Sequence, residues 1–303
     1  GGNWKEDNPE DVANFTAIGY YFGKDLRKIL QVPVGIISSS VGGTPSIAWT
    51  RNEAVAGTPQ MKAKKEKWDE AMLSYEEDFA AWEEAYKIWR EDKGFKEADY
   101  RKHRRLGAPR MTEDAESRRR PSNLANAMIN PIAGFAIQGV IWYQGENDTH
   151  WSPASYEERL RVMIDDWRNW WSKPKMAFGI VQLANFMKPL DQPVRSDWAL
   201  LRESQRRVAQ SDPNTGMVVT IDLGEGNDIH PQDKFPVARR LTRWALADVY
   251  DQLELRGGPE IVSAVEEEGS IILNFDETGT GLHALNTDEL KGFTVSDNPR
   301  EPE

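Results

Sequence analysis

Cysteine is absent from the 303 residues, which excludes disulfides, thiol nucleophiles and cysteine-ligated metals. The compartment stays open, because a disulfide-free protein suits periplasm and cytoplasm alike. A basic surplus is missing too. Lys and Arg number 38 against 49 Asp and Glu, a formal net charge of −11, so neither nucleic acid nor a membrane is expected as a partner. No apolar run reaches the roughly 20 residues of a membrane-spanning helix. The four histidines lack His-x-x-x-His spacing, so no metal site is expected. A phosphate loop, a dinucleotide fingerprint and internal repeats are also lacking, and no cofactor is expected. The chain opens at Gly1 without Met or signal peptide and reads as a processed, trimmed or partial product.

What is present suits one large α/β domain with a small appendage. Val12, Phe15, Ile18, Phe22, Leu26 and Ile29 fall on one face of a helix expected over Pro9 to Leu30. The apolar, β-branched run Val32 to Ser38 predicts a buried parallel strand. It leads into the small-residue loop Ser38-Ser-Ser-Val-Gly-Gly-Thr44. Lys62 to Asp92 predicts one long helix whose aromatic stripe, Trp68 to Trp89, serves packing. The basic stretch from Gly94 to Pro121 reads as an exposed excursion, with Arg118 to Arg120 as a solvated face. Strands are then expected at Gly139 to Tyr143, Ala177 to Leu183 and Met217 to Ile221. Helices are expected at Ser155 to Trp171, Trp198 to Gln210 and Pro231 to Tyr250. Such alternation implies a parallel sheet covered on both faces, with ligands beyond the carboxyl ends of the strands. The expected division is an α/β domain over residues 1–256, with a helical, charged insert at about 60–121. A short β-rich segment follows over 257–303, too brief for an independent sheet.

Two stretches carry the chemistry. Ile141-Trp-Tyr-Gln-Gly-Glu-Asn-Asp148 is an apolar strand that stops at a polar, glycine-containing corner. Asn227-Asp-Ile-His-Pro231 follows a glycine-rich loop and holds His230. Imidazole titrates near neutrality and can move a proton between hydroxyl and leaving group. Asp228 is the nearest acid to orient it, with Asp222 and Glu225 as alternatives. The competing role for His230 is as a cap on a helix starting at Pro231. Asn147 and Gln144 can donate side-chain N–H groups to a developing oxyanion, and Gly42 and Gly43 can offer backbone N–H groups. An ordinary strand-to-helix turn would equally explain the glycine pair. Glu146 is either a supporting carboxylate or an acid at a helix start. Trp49, Trp142, Tyr143 and Trp151 suit sugar stacking or core packing. His103, His150 and His283 read as surface or packing residues.

Taken together these motifs resemble the sialate O-acetylesterase family of the SGNH/GDSL hydrolase superfamily. The matching words are Val34-Gly-Ile-Ile-Ser-Ser-Ser-Val-Gly-Gly-Thr44, Ile132-Ala-Gly-Phe-Ala-Ile-Gln-Gly-Val-Ile-Trp-Tyr-Gln-Gly-Glu146, Val181-Gln-Leu-Ala-Asn-Phe186 and Asp222-Leu-Gly…Asn-Asp-Ile-His-Pro231. They stand in the family's order from about Gly19 to Tyr250, interrupted by the charged helical insert. The resemblance implies a three-layer α/β/α fold with a parallel sheet and hydrolysis of acetyl esters on sugars. It implies a serine nucleophile, His230 as base, and an oxyanion hole from a Gly N–H with the Asn or Gln side chain. Asp228 is the acid it favours, although many members place that acid three residues before the histidine, where this chain has Asn227. A periplasmic or secreted location follows from the resemblance alone.

Three departures stand out. The family's nucleophilic serine sits in a Gly-Gln-Ser-Asn-like or Gly-Asp-Ser-like word upstream of the helix at Pro9, and this chain has neither word. Val41 stands where the family usually has tryptophan. The C-terminal β region is short. The expectation is an esterase whose serine lies outside this chain, with the strand that carries it supplied by another segment or chain, or its slot left unfilled. The rival expectations are a non-catalytic carbohydrate-binding remnant and an esterase using a local serine, Ser40 or Ser39. Acetylated sialic acid and acetylated polysaccharides suit the site words equally.

Overall fold

Gly179 and Gly216 are register partners on adjacent strands, and the indole of Trp244 lies over both. A Cβ at Gly216 would stand 1.8 Å from Trp244 Nε1, and one at Gly179 would stand 2.4 Å from its six-membered ring. Two glycines thus cut a notch in the sheet that seats the indole. The structure containing this notch is a computed structural model describing residues 2–111, 117–190, 194–254, 256–283 and 292–294.

The elements run α1 (Pro9–Val12), α2 (Ala17–Leu30), α3 (Asn52–Gly57), α4 (Pro59–Leu73), α5 (Tyr75–Asp92), α6 (Tyr100–Arg105), β1 (Gly139–Trp142), α7 (Tyr156–Trp170), β2 (Ala177–Val181), α8 (Asp197–Gln210), β3 (Thr215–Val218), α9 (Phe235–Trp244), β4 (Glu260–Glu267) and β5 (Ser270–Asp276). They form two compact units, Gly1–Ser40 with Phe135–Glu303, and Val41–Gly134.

In the first unit β1, β2 and β3 form a parallel sheet in that order. Side chains alternate between its faces. Val181 and Val218 point to one face and pack with Leu26 of α2 and Val237, Leu241 and Trp244 of α9. Trp142 and Phe178 point to the other, where Trp167 of α7 meets both rings at centroid distances of 5.9 and 6.1 Å. This is the expected α/β/α layering. The Val32 to Ser38 run departs from expectation. It forms no strand ladder, and Val32 is 48% exposed. Val34 and Ile36 instead lie against Gly19 and Gly23 of α2. An apolar β-branched run favours burial on one side, but a strand also needs a backbone partner. The described residues provide none for this segment, and β1 pairs only with β2.

Three expected helices also shift. The one over Pro9 to Leu30 is two, α1 and α2, with the Thr16 hydroxyl capping the second. The helix after His230 begins at Phe235, so His230 and Pro231 belong to a loop and not to a helix start. The expected long helix over Lys62 to Asp92 is two helices separated at Ser74, whose hydroxyl donates to Asp78 Oδ2 at 2.6 Å. In this second unit the aromatic stripe does serve packing. Tyr75, Phe79, Trp82, Tyr86 and Trp89 contact one another in sequence along α5. Buried His103 bonds the Tyr86 hydroxyl at 2.7 Å. β4 and β5 form an antiparallel hairpin whose β4 residues are all exposed. Residues 284–291 of the expected turn-rich stretch lie outside the described residues.

Candidate functional site

The corner after β1 is built around Gly145. A Cβ there would stand 2.7 Å from Leu201 Cδ2 and 3.2 Å from Leu183 Cδ2, so the backbone can pass only without a side chain. Gln144 precedes it and turns into the protein. Its Nε2 donates to Asp148 Oδ2 at 2.7 Å, and its Oε1 accepts from the Tyr156 hydroxyl at 2.8 Å. Gln205 Nε2 donates to its backbone carbonyl at 3.1 Å. Asp148 Oδ1 accepts from Arg159 Nη2 at 3.1 Å, with both side chains 0% exposed. Burial pushes the Tyr156 phenol far above its usual range. Gln144 is therefore engaged on both ends of its amide. Asn147, partly buried in the same corner, has a side chain that hydrogen-bonds none of the described residues.

The loop after β3 has a different character. It folds on itself through short polar contacts. The Asp228 amide donates to the Glu225 carbonyl at 3.2 Å, and Gln232 N donates to Glu225 Oε1 at 2.6 Å. Asp228 Oδ1 accepts the His230 amide at 2.8 Å, and this bond is the largest of the influences holding its carboxyl below the usual range. The His230 ring is 82% exposed, with Nδ1 3.7 Å from the same carboxylate oxygen. Asp222 is committed elsewhere, since Arg240 grips both its oxygens at 2.6 Å.

Three loops meet at the carboxyl rim of this unit. Asn185, after β2, accepts the Gly224 amide on Oδ1 at 2.6 Å. A Cβ at Gly224 would stand 2.0 Å from the Asn185 carbonyl oxygen, which explains the glycine. Glu146 of the first corner faces the third loop electrostatically. Burial raises its carboxyl, while its own backbone amide and the charges of His230 and Lys234 act against that rise. Lys234 is pulled down by burial and supported by Glu146. Its ammonium lies 5.4 Å from the centroid of the Tyr143 ring, and the Tyr143 phenol is pushed up to about 12, mainly by burial. Lys234 was missed in the sequence. The sequence offered only its position four residues after His230, inside the helix expected from Pro231; the structure places it before the helix.

Ser39 is partly buried and Ser40 exposed. Gly42 and Gly43 belong to the second unit, where Gly43 has φ +70° and its carbonyl accepts from Arg119 Nε at 3.3 Å. One member of the basic run thus has a local backbone partner. Among the described residues no group of three or more His, Cys, Asp and Glu could hold a metal, and no helix is long and apolar enough to cross a membrane.

Residues 118–241 match the family described as carbohydrate esterase, sialic acid-specific acetylesterase. That span contains both the Gln144 corner and the His230 loop. Over that span the chain is similar to the sialate O-acetylesterase family. It is 30% identical over 265 residues to the sialate O-acetylesterase of Rattus norvegicus, covering 80% of this chain and 45% of the relative. It is 25% identical over 296 residues to that of Homo sapiens, covering 90% and 48%. Among solved structures, a carbohydrate acetylesterase from Xanthomonas citri superposes with a TM-score of 0.68 at 30% identity, covering 91% of this chain and 50% of the other. The chain therefore spans about half the length of these sialate O-acetylesterase relatives.

Proposed function

We propose that this chain supplies the base and one oxyanion donor of a carbohydrate O-acetylesterase. The observation that carries the reading is the shared rim, where the Lys234 ammonium of the third loop lies 5.4 Å from the Tyr143 ring centroid at the first corner and the charges of His230 and Lys234 act on Glu146. A serine Oγ attacks the acetyl carbonyl carbon while His230 takes its proton. The Asn147 amide donates to the oxyanion. The ester C–O bond breaks, the sugar hydroxyl leaves with the proton from His230, and water repeats the sequence to release acetate. Asp228 orients the imidazole. The 3.7 Å separation is longer than a hydrogen bond, and a small rotation of the exposed ring closes it, as is common before substrate binds.

The nucleophile in this reading is a serine outside residues 1–303. Two observations support that assignment. The sequence has no Gly-Gln-Ser or Gly-Asp-Ser word, and no described serine hydroxyl hydrogen-bonds His230. The edge of β1 that no described strand pairs with is where the strand carrying such a serine would add. The test is an assay of the full-length protein on acetylated sialic acid, acetyl-xylan and a chromogenic acetate. Acetate release that disappears when the upstream serine becomes Ala supports the reading. No release from any of the three overturns it, and binding without hydrolysis would favour a carbohydrate-binding role. Full activity that Ser40→Ala abolishes would place the nucleophile within this chain.

A further inference from the structure

Resting on that acetylesterase reading, we propose that Arg159 and Asp148 are a positioning pair that holds the Gln144–Asp148 corner, and Asn147 within it, where the oxyanion forms. The pair is wholly buried. Burial of two ions is weak evidence for stability, since well-packed apolar residues of similar volume often serve as well or better. This pair also leaves Arg159 Nε buried without a partner. What it adds is direction. Arg159 belongs to α7, and Nη1 donates to Ser155 Oγ while Nη2 donates to the Trp151 carbonyl at 2.9 Å as well as to Asp148. Its guanidinium carbon lies 4.1 Å from the Trp151 ring centroid. Asp148 passes the constraint to Gln144, which the Tyr156 hydroxyl and Gln205 of α8 hold from other sides.

Between Gln144 and Asp148 stand Glu146 and Asn147, both partly buried, and the charges of His230 and Lys234 act on Glu146. Both are short chain steps from a residue tied to a helix. An apolar pair could fill the same volume but could not fix the corner's rotation about the strand axis. A donor displaced by about 1 Å loses on the order of 10²-fold in rate, so directional anchoring behind the donor has a kinetic purpose.

The experiment compares Arg159→Met, Arg159→Lys and Tyr156→Phe in the full-length protein on a chromogenic acetate. Active sites are counted by titration with a serine-directed phosphonate, so that kcat refers to folded enzyme only. Arg159→Met is expected to lower kcat per titrated site by roughly 10- to 100-fold with KM within about twofold. Arg159→Lys should restore part of the loss, and the pH profile should keep its limbs because His230 is untouched. An unchanged kcat per site with only a lower Tm would overturn the proposal. Should Arg159→Met not fold, Tyr156→Phe decides, because it removes one bond to Gln144 and keeps the ring. A several-fold fall in kcat per site is expected, and no fall overturns the proposal. A wild-type protein that neither turns over nor titrates would remove the acetylesterase reading instead. Amide exchange at Asn147 and Asp148 then tests the anchoring alone: faster exchange in Arg159→Lys than in wild type is expected, and equal exchange overturns it.

Discussion

The corner after β1 and the loop after β3 are two halves of one rim built in opposite ways. In the corner, Gln144, Asp148, Arg159 and Tyr156 are buried and bonded to one another. In the loop, His230 stands 82% exposed and the contacts of Asp228 run to near neighbours in sequence. The first arrangement suits a group that must not move, an oxyanion donor whose value depends on being placed before charge develops. The second suits a base that must accept a proton and release it on the other side of the reaction. Stability and activity should therefore respond differently to substitution in the two halves.

The sharpest contrast is expected at His230. In the full-length enzyme, His230→Ala should lower kcat by about 10²- to 10⁴-fold, the contribution of a positioned general base. The exposed ring holds no packing, so Tm should stay within the small range of surface substitutions. A large fall in Tm would show that the loop is a structural element. The corner should respond in the opposite sense. Gly145→Ala forces a Cβ against Leu201 and Leu183 and should lower folding stability by about 1–3 kcal/mol, read as a lower urea midpoint. An unchanged midpoint would mean that the corner is looser than its bonds suggest.

The smallest effect concerns pH. Burial raises the Glu146 carboxyl, so its neutral form is favoured in the folded state. Its contribution to stability is present below the ordinary glutamate value of about 4.3 and is lost as pH rises through the raised folded value. Glu146→Gln removes that loss. The Tm of the variant relative to wild type should increase between about pH 4 and 8. A constant difference would place the carboxyl in an ordinary solvated setting.

Much of this architecture was legible in the residues. The three paired strands and the flanking helices follow from alternation between short apolar runs and helical periodicity, and the two rim words stand at strand ends. What the sequence could not separate was Gln144 from Asn147. Both are amides in one corner, and only the buried ion pair decides which is turned inward. The ion pair itself is invisible as pattern, because Asp148 and Arg159 lie eleven positions apart on different elements. The Val32 to Ser38 run misled for a related reason. Composition reports the wish for burial, whereas a ladder depends on which backbone lies alongside. The glycines at 179 and 216 gave no signal of their own, since the notch exists only once strand register brings them side by side beneath Trp244.

The most direct test of one site shared by both halves is a double-mutant cycle in the full-length enzyme, with His230→Ala, Asn147→Ala and the double variant assayed for kcat and KM on a chromogenic acetate. Asn147→Ala alone should cost about 10²- to 10³-fold in kcat with KM little changed. Residues that act as a unit are non-additive, so the double variant should fall little below the worse single one. Independent losses that multiply, or losses confined to KM, would contradict the shared acetylesterase site.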